Sequence, residues 1–297
     1  TIDGLLPDTD YEIMLVRANE ASETVTFHTE PEPITLNVRD FGAFGDGVHD
    51  DTSAIQAAIL CCPKNARVLI PKGTYPVTAL FLKSDMILEL QENAVLAGIY
   101  DRARTPILPG QIEYDNEDGY YNLGSWEGNP IDSFASMITG IHVKNVTICG
   151  KGVLDGRADF ENWWSRPKDK IRAWRPRMIF LNHCENITVV GVTVQNSPAW
   201  NLHPYFSNQI RFLDMEVKGP ANSHNTDGCD PESCTNVEIA GVHFSVGDDC
   251  IAIKSGKIYM GKKFKVPSKH IHIRQSWMQD GHGAVTVGSE IAAGVDD

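Results

Sequence analysis

From about residue 66 onward, hydrophobic and polar residues alternate along short stretches of the chain, and Gly or Asp closes most of them. Alternation with a period of two predicts β-strands that bury one face. Each stretch begins with a polar residue, often Asn, and the pattern then restarts further along the chain. An interval near 22 residues, lengthened by insertions, predicts a solenoid. The aligned starts are Asn145, Asn186, Asn208, Asn236 and His270.

The predicted fold class is all-β, and the predicted architecture is a right-handed parallel β-helix. A β-sandwich also contains many short strands, but it gives no reason for Asn to restart one pattern repeatedly. In a β-helix, each coil presents the same strand and the same turn at one angular position. Adjacent coils then lie about 4.8 Å apart, which is the spacing of paired strands.

The N-terminal segment, at positions 1–30, differs from the rest of the chain. The runs "YEIMLVRA" and "ETVTFHTE" follow a Pro-Asp-Thr turn and predict two strands. They resemble the end of a fibronectin type III domain, with Tyr11 as its corner tyrosine. The stretch "TEPEPI" is typical of a linker. We therefore predict the tail of a fibronectin III-like β-sandwich at residues 1–30 and a β-helix domain at residues 35–297.

One short helix is predicted after the linker, in "DDTSAIQAAIL". Asp51 and Thr52 are good helix-capping residue types. Ile55, Ala58 and Ile59 follow at the spacing of one helical face.

Charge narrows the class of partner. The net charge is −13, which argues against a nucleic-acid partner. No run approaches the roughly 18 apolar residues of a membrane span, so we predict no membrane partner. We also predict a monomer. Between Lys254 and Arg274, however, there are six lysines and one arginine without any Asp or Glu. This basic stretch is either a local site for an anion or a solvated loop.

The seven cysteines are odd in number and irregular in spacing. No paired CxxC with histidines suggests zinc. Several lie within apolar alternation, where a thiol behaves as a small hydrophobic group. We predict buried free thiols, with one disulfide as the alternative.

Candidate chemistry lies in two acidic turns and one histidine turn. Asp227 and Asp248 are separated by about one repeat of the pattern, and His282 follows Asp248 after a longer interval that contains the insertion "KIYMGKKFKVPS". In a solenoid these side chains fall on successive coils in one column. Stacked carboxylates split their pKa values, as acid/base hydrolysis of a glycosidic bond requires. The alternative is that each Asp only supports a turn.

Asp248 and Asp249 are neighbours, which in a regular strand would point to opposite faces. One of them would then enter the apolar interior at a high cost in free energy. Gly247 precedes them and permits a bend. We therefore expect both carboxylates to face outward.

The motifs "NTDG", "GDD" and "GHG", in this order and spacing, resemble those of glycoside hydrolase family 28, the polygalacturonases. The stretch "RDFGAFGDGVHDDTSAIQAAI" resembles the N-terminal cap of that family, and "NSPAWNLHP" resembles another of its segments. The resemblance implies a right-handed parallel β-helix that hydrolyses α-1,4 galacturonosyl bonds of pectin or polygalacturonate with inversion. It implies no metal and no cofactor.

Residue by residue, the resemblance implies that Asp248 is the general acid, and that Asp227 and Asp249 position and deprotonate water. It implies that His282 supports the ionisation of the acid. Lys254 lies on the outer face of its strand, where it either contacts a uronate carboxylate or serves as a counter-charge to the acids. The other predicted substrate-binding residues are Asn225, His203 and Trp200.

The chain also departs from the family pattern. It ends before any Arg-Ile-Lys motif, which in the family grips the substrate carboxylate, so we predict that the β-helix domain is truncated at its C-terminal end. The fibronectin-like leader and the insertions at 101–136 and 157–177 resemble bacterial exo-acting members. These insertions would close the groove so that only chain ends enter. The tryptophans available for sugar stacking or for local packing are Trp163, Trp164, Trp174 and Trp200.

Three alternatives remain open at this point. One is a rhamnogalacturonan or xylogalacturonan hydrolase of the same family. A second is a calcium-dependent pectate lyase, because a Ca²⁺ site needs several oxygen ligands; those available are Asp227, Asp230, Asp248 and Asp249. A third is a noncatalytic β-helical glycan-binding protein. For any of these we expect a secreted or periplasmic location.

Overall fold

The computed structural model describes residues 2, 5–17, 20–113 and 120–296. Its main body is a solenoid of long parallel sheets, in which each strand pairs with the strand one coil earlier and one coil later. The predicted all-β fold and parallel β-helix are confirmed.

The longest sheet has nine strands, and parallel pairs run along its whole length. Its strands are Thr35–Asn37, Ala66–Ile70, Met86–Leu90, Lys144–Gly150, Glu185–Val190, Asn208–Leu213, Thr235–Ala240, Ser268–Arg274 and Val295–Asp296. A second sheet has seven strands. They are Gly73–Val77, Ala94–Gly98, Val153–Asp155, Thr193–Gln195, Glu216–Lys218, His243–Ser245 and Trp277–Asp280.

The third face of the solenoid is called the groove sheet below. Isolated bridges through Cys229 and Glu232 join its four-stranded part to a two-stranded part. Its strands are Leu80–Phe81, Ile138–Ile141, Ile179–Asn182, Leu202–Tyr205, Ile251–Ile253 and Val285–Val287. Two small antiparallel pairs lie outside the solenoid: Ile107–Leu108 with Ser133–Phe134, and Ile112–Glu113 with Tyr120–Tyr121.

The core fills the inside of the coils, because each strand turns alternate residues inward. Val146, Ile187, Ile210 and Val237 stack in register on four successive coils of the nine-stranded sheet, and all four are buried. Every coil thus repeats the same apolar step, which explains the alternation in the sequence.

The polar starts of the strands form a ladder of turn residues with positive φ. Asn145, Asn186 and Asn236 have φ of 56°, 53° and 57°, a region in which Asn is enriched. In the register of the sheet, however, Gln209 aligns with Asn186 and Asn236, with φ of 56°. The predicted alignment at Asn208 is therefore wrong by one residue, because the turn conformation recurs at the second position of that strand.

The predicted helix is present at Thr52–Cys61, with Ile55, Ala58 and Ile59 buried. Asp51 occupies the N-cap position but its side chain does not cap the helix. Its two carboxylate oxygens accept hydrogen bonds from the backbone N–H groups of Phe44 and Gly45, at 2.7 and 3.0 Å. Asp51 therefore fastens the preceding loop.

The basic stretch contains a second short α-helix at Ile258–Lys263, and a 3-10 helix spans Val38–Phe41. The predicted free thiols are confirmed, and five of the seven cysteines are buried. Across the part of the chain that the structure describes, no helix has the length and apolar character needed to cross a membrane.

The N-terminal segment is an antiparallel hairpin of Asp10–Arg17 and Glu20–His28. The hydroxyl oxygen of Tyr11 accepts a hydrogen bond from the backbone N–H of Leu6 at 2.7 Å, as a corner tyrosine bonds to backbone a few residues upstream. This contact supports the fibronectin III-like interpretation, which stays a prediction.

Candidate active site

The acidic turns lie just before successive strands of the groove sheet. Cys229 pairs with Ile251 and Glu232 pairs with Lys254, which fixes the register between these two coils. Continued back by two positions, this register aligns Asp227 with Asp249. The predicted neighbours on adjacent coils are therefore present, but the strict partner of Asp227 is Asp249, with Asp248 one position to the side.

Asp227, Asp248 and Asp249 nevertheless form one cluster. One oxygen from each carboxylate lies within 4.8 Å of one oxygen of the others. Asp227 is buried, whereas Asp248 and Asp249 are partly exposed. Both neighbours in the "GDD" motif thus face outward, as predicted.

Two glycines lie beside this cluster at positions where an added Cβ atom would come too close to neighbouring atoms. A Cβ on Gly247 would lie 2.4 Å from the backbone oxygen of Ser223, in the turn that precedes Asp227. A Cβ on Gly283 would lie 2.7 Å from Oδ1 of Asp249. Close approach of neighbouring coils therefore requires glycine at position 247, whereas a side chain at position 283 would displace the Asp249 carboxylate.

His282 contacts Asp248 from the next coil, as predicted. Its Nδ1 lies 3.1 Å from Oδ1 of Asp248, and its backbone N–H donates to the backbone oxygen of Asp248 at 3.0 Å. The His282 side chain is 72% exposed and that of Asp248 is 26% exposed. The pair therefore faces the open side of the cluster, where a substrate could reach it.

Burial distinguishes Asp227 from its neighbours. Burial, with the negative charge of Asp248 as the next cause, raises the pKa of Asp227 to about 7. Burial and the adjacent Asp227 also raise the pKa of Asp230 well above its usual value. These groups interact, so the protons they hold belong to the cluster as a whole. Below about pH 7, Asp227 is therefore mostly protonated.

The turn that carries Asp227 is held by two side chains from earlier coils. The amide nitrogen of Asn201 donates to the backbone oxygens of Thr226 and Asp227, at 3.2 and 3.0 Å. The guanidinium of Arg175 donates to the backbone oxygen of His224 at 2.8 Å and to Oδ1 of Asn225 at 2.6 Å. Arg175 also donates to the backbone oxygens of Pro198 and Pro167, so one buried side chain joins three segments.

We expect Arg175→Met to lower kcat about a hundredfold, because Asp227 loses its position. An error of about 1 Å in a catalytic group can cost this much. Steady-state kinetics on polygalacturonate, the substrate that the family resemblance implies, measure kcat and KM. Arg166→Met is the matched control, since Arg166 is an exposed arginine of the same segment paired with Asp169. A rise in KM alone would contradict the positioning role.

The predicted substrate-binding residues lie around the cluster, but most are covered. His203 is fully buried, and its Nε2 hydrogen-bonds Oε2 of Glu232 at 3.0 Å. Trp200 is 3% exposed, and Oδ1 of Asn225 is occupied by Arg175. Direct contact of these residues with substrate stays a prediction, and in this structure His203 and Asn225 hold other protein groups in place.

Lys254 leaves its strand on the outer face, as predicted, with Ile251 and Ile253 in the core. Its ammonium donates to Oε2 of Glu290 at 2.8 Å and to the backbone oxygen of Gly288 at 3.1 Å. It is only 5% exposed. The geometry thus favours a counter-charge to buried acids over the predicted contact with a uronate carboxylate, and the acids are Glu290 and Asp230.

Sequence reasoning missed the arginines and Glu232 in this region, and considered Asp230 only as a possible Ca²⁺ ligand. Asp230 and Glu232 lie two positions apart on the outer face of the groove sheet and are both fully buried. Two acids at a spacing of two, directly after the "NTDG" turn, are the signal that could have identified them. Arg177 comes directly before a groove-sheet strand, and nothing in its sequence surroundings marks it.

The two insertions pack against each other and are called the wall below (the described residues of 101–136 and 157–177). Ser133 forms a bridge with Trp174, and the guanidinium of Arg102 lies 4.4 Å from the ring centre of Trp163. Trp163 and Trp164 are buried in a separate apolar cluster with Phe134. These two tryptophans are therefore packing residues of the wall.

A second aromatic group of the wall faces the groove sheet. The ring of Trp126 stacks on that of Trp174, with centres 4.7 Å apart, and is nearly parallel to that of Trp200 at 6.4 Å. Residues 122–129, called the cover segment below, carry Trp126. The backbone N–H of Lys257 donates to the backbone oxygen of Gly128 at 3.0 Å, which holds the segment over the groove sheet.

Comparison with known proteins relates this arrangement to a family. Residues 109–295 match "Glycosyl hydrolases family 28", and residues 35–148 match "Rhamnogalacturonase A/epimerase, pectate lyase-like". The chain is 32% identical to a probable polygalacturonase of Vitis vinifera over 87% of its own length and 52% of the relative. It is 29% identical to the exo-poly-alpha-D-galacturonosidase of Dickeya chrysanthemi over 100% of its own length and 55% of the relative.

A solved structure agrees with these sequence matches. The Family 28 exopolygalacturonase of Yersinia enterocolitica is 27% identical, with a TM-score of 0.79 over 97% of this chain and 57% of that one. The chain thus spans about half the length of the curated relatives that it matches. With the match covering more than half of the chain, and with "NTDG", "GDD" and "GHG" meeting in one cluster, this protein belongs to the glycosyl hydrolases of family 28.

Proposed function

We propose that this protein hydrolyses α-1,4 galacturonosyl bonds of pectin or polygalacturonate. The observation that carries the proposal is the convergence of Asp227, Asp248 and Asp249 from two coils of a family 28 chain, with His282 bonded to Asp248. Two carboxyl groups that differ in protonation are what acid/base glycoside hydrolysis needs. The relatives named as polygalacturonases support this choice of bond.

In the proposed mechanism, Asp248 protonates the oxygen of the leaving group and a water attacks the anomeric carbon. Asp248 suits the acid role because it is accessible and contacts His282. Asp249 is the carboxylate that takes the proton of the water. Asp227, whose pKa is raised to about 7, holds that water by hydrogen bonding at acidic pH.

The proposed stereochemical outcome is inversion, and it rests on the family. Inverting enzymes usually separate their carboxyl groups by about 6.5–9.5 Å, and retaining enzymes by about 5–5.5 Å. The oxygens here that approach one another lie within 4.8 Å, and such a closest-atom distance does not distinguish the two classes. The anomer formed first therefore tests the mechanism directly.

The proposed mode of attack is exo. The wall and its cover segment close the groove sheet on the N-terminal side of the acids, because Trp126 and Trp174 stack above Trp200 at that end. A closed end admits a chain terminus but not the middle of a polymer. The exo-acting relatives of Dickeya and Yersinia support this interpretation.

Digestion of polygalacturonate tests bond, mode and mechanism together. We expect mono- or digalacturonate as the sole early product, no unsaturated product absorbing in the ultraviolet, and no loss of rate with a chelator. Proton NMR at early times should show the inverted anomer. A ladder of oligomers would contradict exo action, and unsaturated ends with chelator sensitivity would support the calcium-dependent lyase instead.

A second candidate is hydrolysis of rhamnogalacturonan, because residues 35–148 match a rhamnogalacturonase-like family. Xylogalacturonan hydrolysis is a related candidate within family 28. Comparing kcat/KM on the three polymers decides among them. Release of reducing ends from any of them excludes the noncatalytic glycan-binding alternative. For each polymer we also propose action in a secreted or periplasmic setting.

A further inference from the structure

Buried polar atoms without a hydrogen-bond partner gather in one place in the described residues. Atoms of this kind are rare in folded proteins and call for an explanation. They lie on the outer face of the groove sheet, beneath the wall and beside the catalytic acids. They include the nitrogens Nε and Nη2 of Arg177, both oxygens of Asp230, Oε1 of Glu232, Nδ1 of His203 and Oδ1 of Asp227.

Arg177 is the most unusual member of this group. It is 2% exposed, and its Nε and Nη2 have no hydrogen-bond partner among the residues that the structure describes. Its guanidinium lies between two indole rings, 5.2 Å from the centre of Trp126 and 5.1 Å from that of Trp200. A guanidinium offers five donors in a rigid fork that matches a carboxylate. Arg177 therefore has the form of a carboxylate site.

The position of Arg177 relates it to the catalytic cluster. Ile179 and Cys229 pair with the same residue, Leu202, from opposite sides. Arg177 comes two positions before Ile179, and Asp227 comes two positions before Cys229. The two side chains are therefore separated by two coils, about 10 Å. Arg177 lies on the side that the wall closes, so a ligand held there extends from the closed end towards Asp248.

The charges nearby favour an added carboxylate. Arg175, Arg177 and Lys254 bring three cations into this buried region. Of the acids, Glu290 has a lowered pKa because of Lys254, whereas burial raises the pKa of Asp230 and of Glu232, the latter to about 7. At mildly acidic pH the region therefore has an excess of positive charge.

The other free atoms suit hydroxyl groups. Oε1 of Glu232 and Nδ1 of His203 are without a hydrogen-bond partner and suit sugar hydroxyls, whereas Asp230 faces Lys254 and Asp227. Trp126 and Trp200 provide flat apolar surfaces on which a sugar ring packs. The combination of one carboxylate site, several hydroxyl partners and two indoles matches a single uronic acid residue.

Entry requires the cover segment to move. Two contacts with Lys257 hold this segment. The backbone N–H of Lys257 donates to the backbone oxygen of Gly128 at 3.0 Å, and its ammonium forms an ion pair with Glu127 at 3.4 Å. Both charged side chains of that ion pair are about two-fifths exposed. This ion pair is exposed and therefore weak, but opening also separates the buried ring of Trp126 from Trp174 and Trp200 and breaks the hydrogen bond from Asn122 to the hydroxyl of Tyr205.

We propose that Arg177 anchors the carboxylate of the terminal galacturonosyl residue of the substrate, in a subsite where Glu232 binds one of its hydroxyls and Trp126 closes over the ring. This inference rests on the proposed function, and it identifies the group that selects a uronide over a neutral sugar. Arg177 is thus a specificity residue, distinct from the acids that act on the bond.

The test is a binding measurement that needs no turnover. In an Asp248→Asn background, calorimetry compares digalacturonate with the neutral digalactoside of the same linkage. We expect Arg177→Met to raise the Kd for digalacturonate at least about thirtyfold and to leave that for the neutral sugar unchanged. Arg177→Lys should lose about tenfold, since an ammonium lacks the bidentate fork. The control is Arg211→Met, because Arg211 lines an open depression on the outer face of the nine-stranded sheet and not the groove sheet.

An equal loss for both ligands would overturn the proposal, because it would mark Arg177 as structural. Unchanged affinity for digalacturonate would overturn it as well. If Arg177→Met does not fold, the Lys variant and the ligand preference of the parent protein carry the test, and no preference for the uronide overturns the proposal. Selective binding without hydrolysis of polygalacturonate by the parent would instead contradict the proposed function and leave the anchor standing.

Discussion

Replacing Asp248 by Asn is expected to lower kcat on polygalacturonate by about a thousandfold or more, with the fold and the affinity for substrate retained. An amide of the same shape keeps the contacts of Asp248 but has no proton of suitable pKa for the leaving oxygen. Removing a general acid typically costs about 10²–10⁴ in rate. Steady-state kinetics, with Kd measured separately, provide the readout.

The control for this variant is Asp280→Asn, an acidic residue that accepts a hydrogen bond from the hydroxyl of Ser245 on the seven-stranded sheet. It should retain activity close to that of the parent. Turnover by the Asp248 variant within tenfold of the parent would contradict the acid assignment. An unchanged Tm for the variant would show that any loss is chemical.

Replacing Asp227 by Asn is expected to stabilise the protein at alkaline pH while still lowering activity. The folded-state pKa of Asp227 is about 7, above the unfolded value of about 3.9. Between these pH values the folded state therefore binds more protons than the unfolded state. The contribution of Asp227 to the free energy of unfolding is fully present below about pH 4 and is lost as pH rises through 7. The shift corresponds to at most about 4 kcal/mol at pH 8.

Denaturant unfolding at pH 5 and pH 8 measures this effect. The parent should lose more stability between the two values than the Asn variant, which keeps the slopes contributed by the other buried groups but not that of Asp227. The variant should lose less activity at pH 5 than Asp248→Asn, since Asp227 is then already neutral and Asp249 remains as the base. Equal pH slopes for parent and variant would contradict the raised pKa.

The alternation of residues and its regular restart determined the fold. A parallel solenoid repeats one local pattern on each coil, so short-range sequence carries its long-range order. For the same reason the sequence placed Asp227, Asp248, Asp249 and His282 on neighbouring coils. It did not fix the register to one residue, and the alignment at Asn208 was wrong because a turn residue can shift by one within its strand without disturbing the spacing.

Tertiary structure alone decided which polar groups are buried. His203, Lys254 and Trp200 look outward-facing in the sequence, and they do leave the coil on its outer face. Trp126 of the wall covers Trp200, whereas Glu290 and the backbone of Gly288 enclose the ammonium of Lys254. A wall built from insertions has no repeat from which its course could be predicted. Burial raises the pKa of Asp227 and leaves donors of Arg177 unpaired, and burial depends on segments that are distant in sequence.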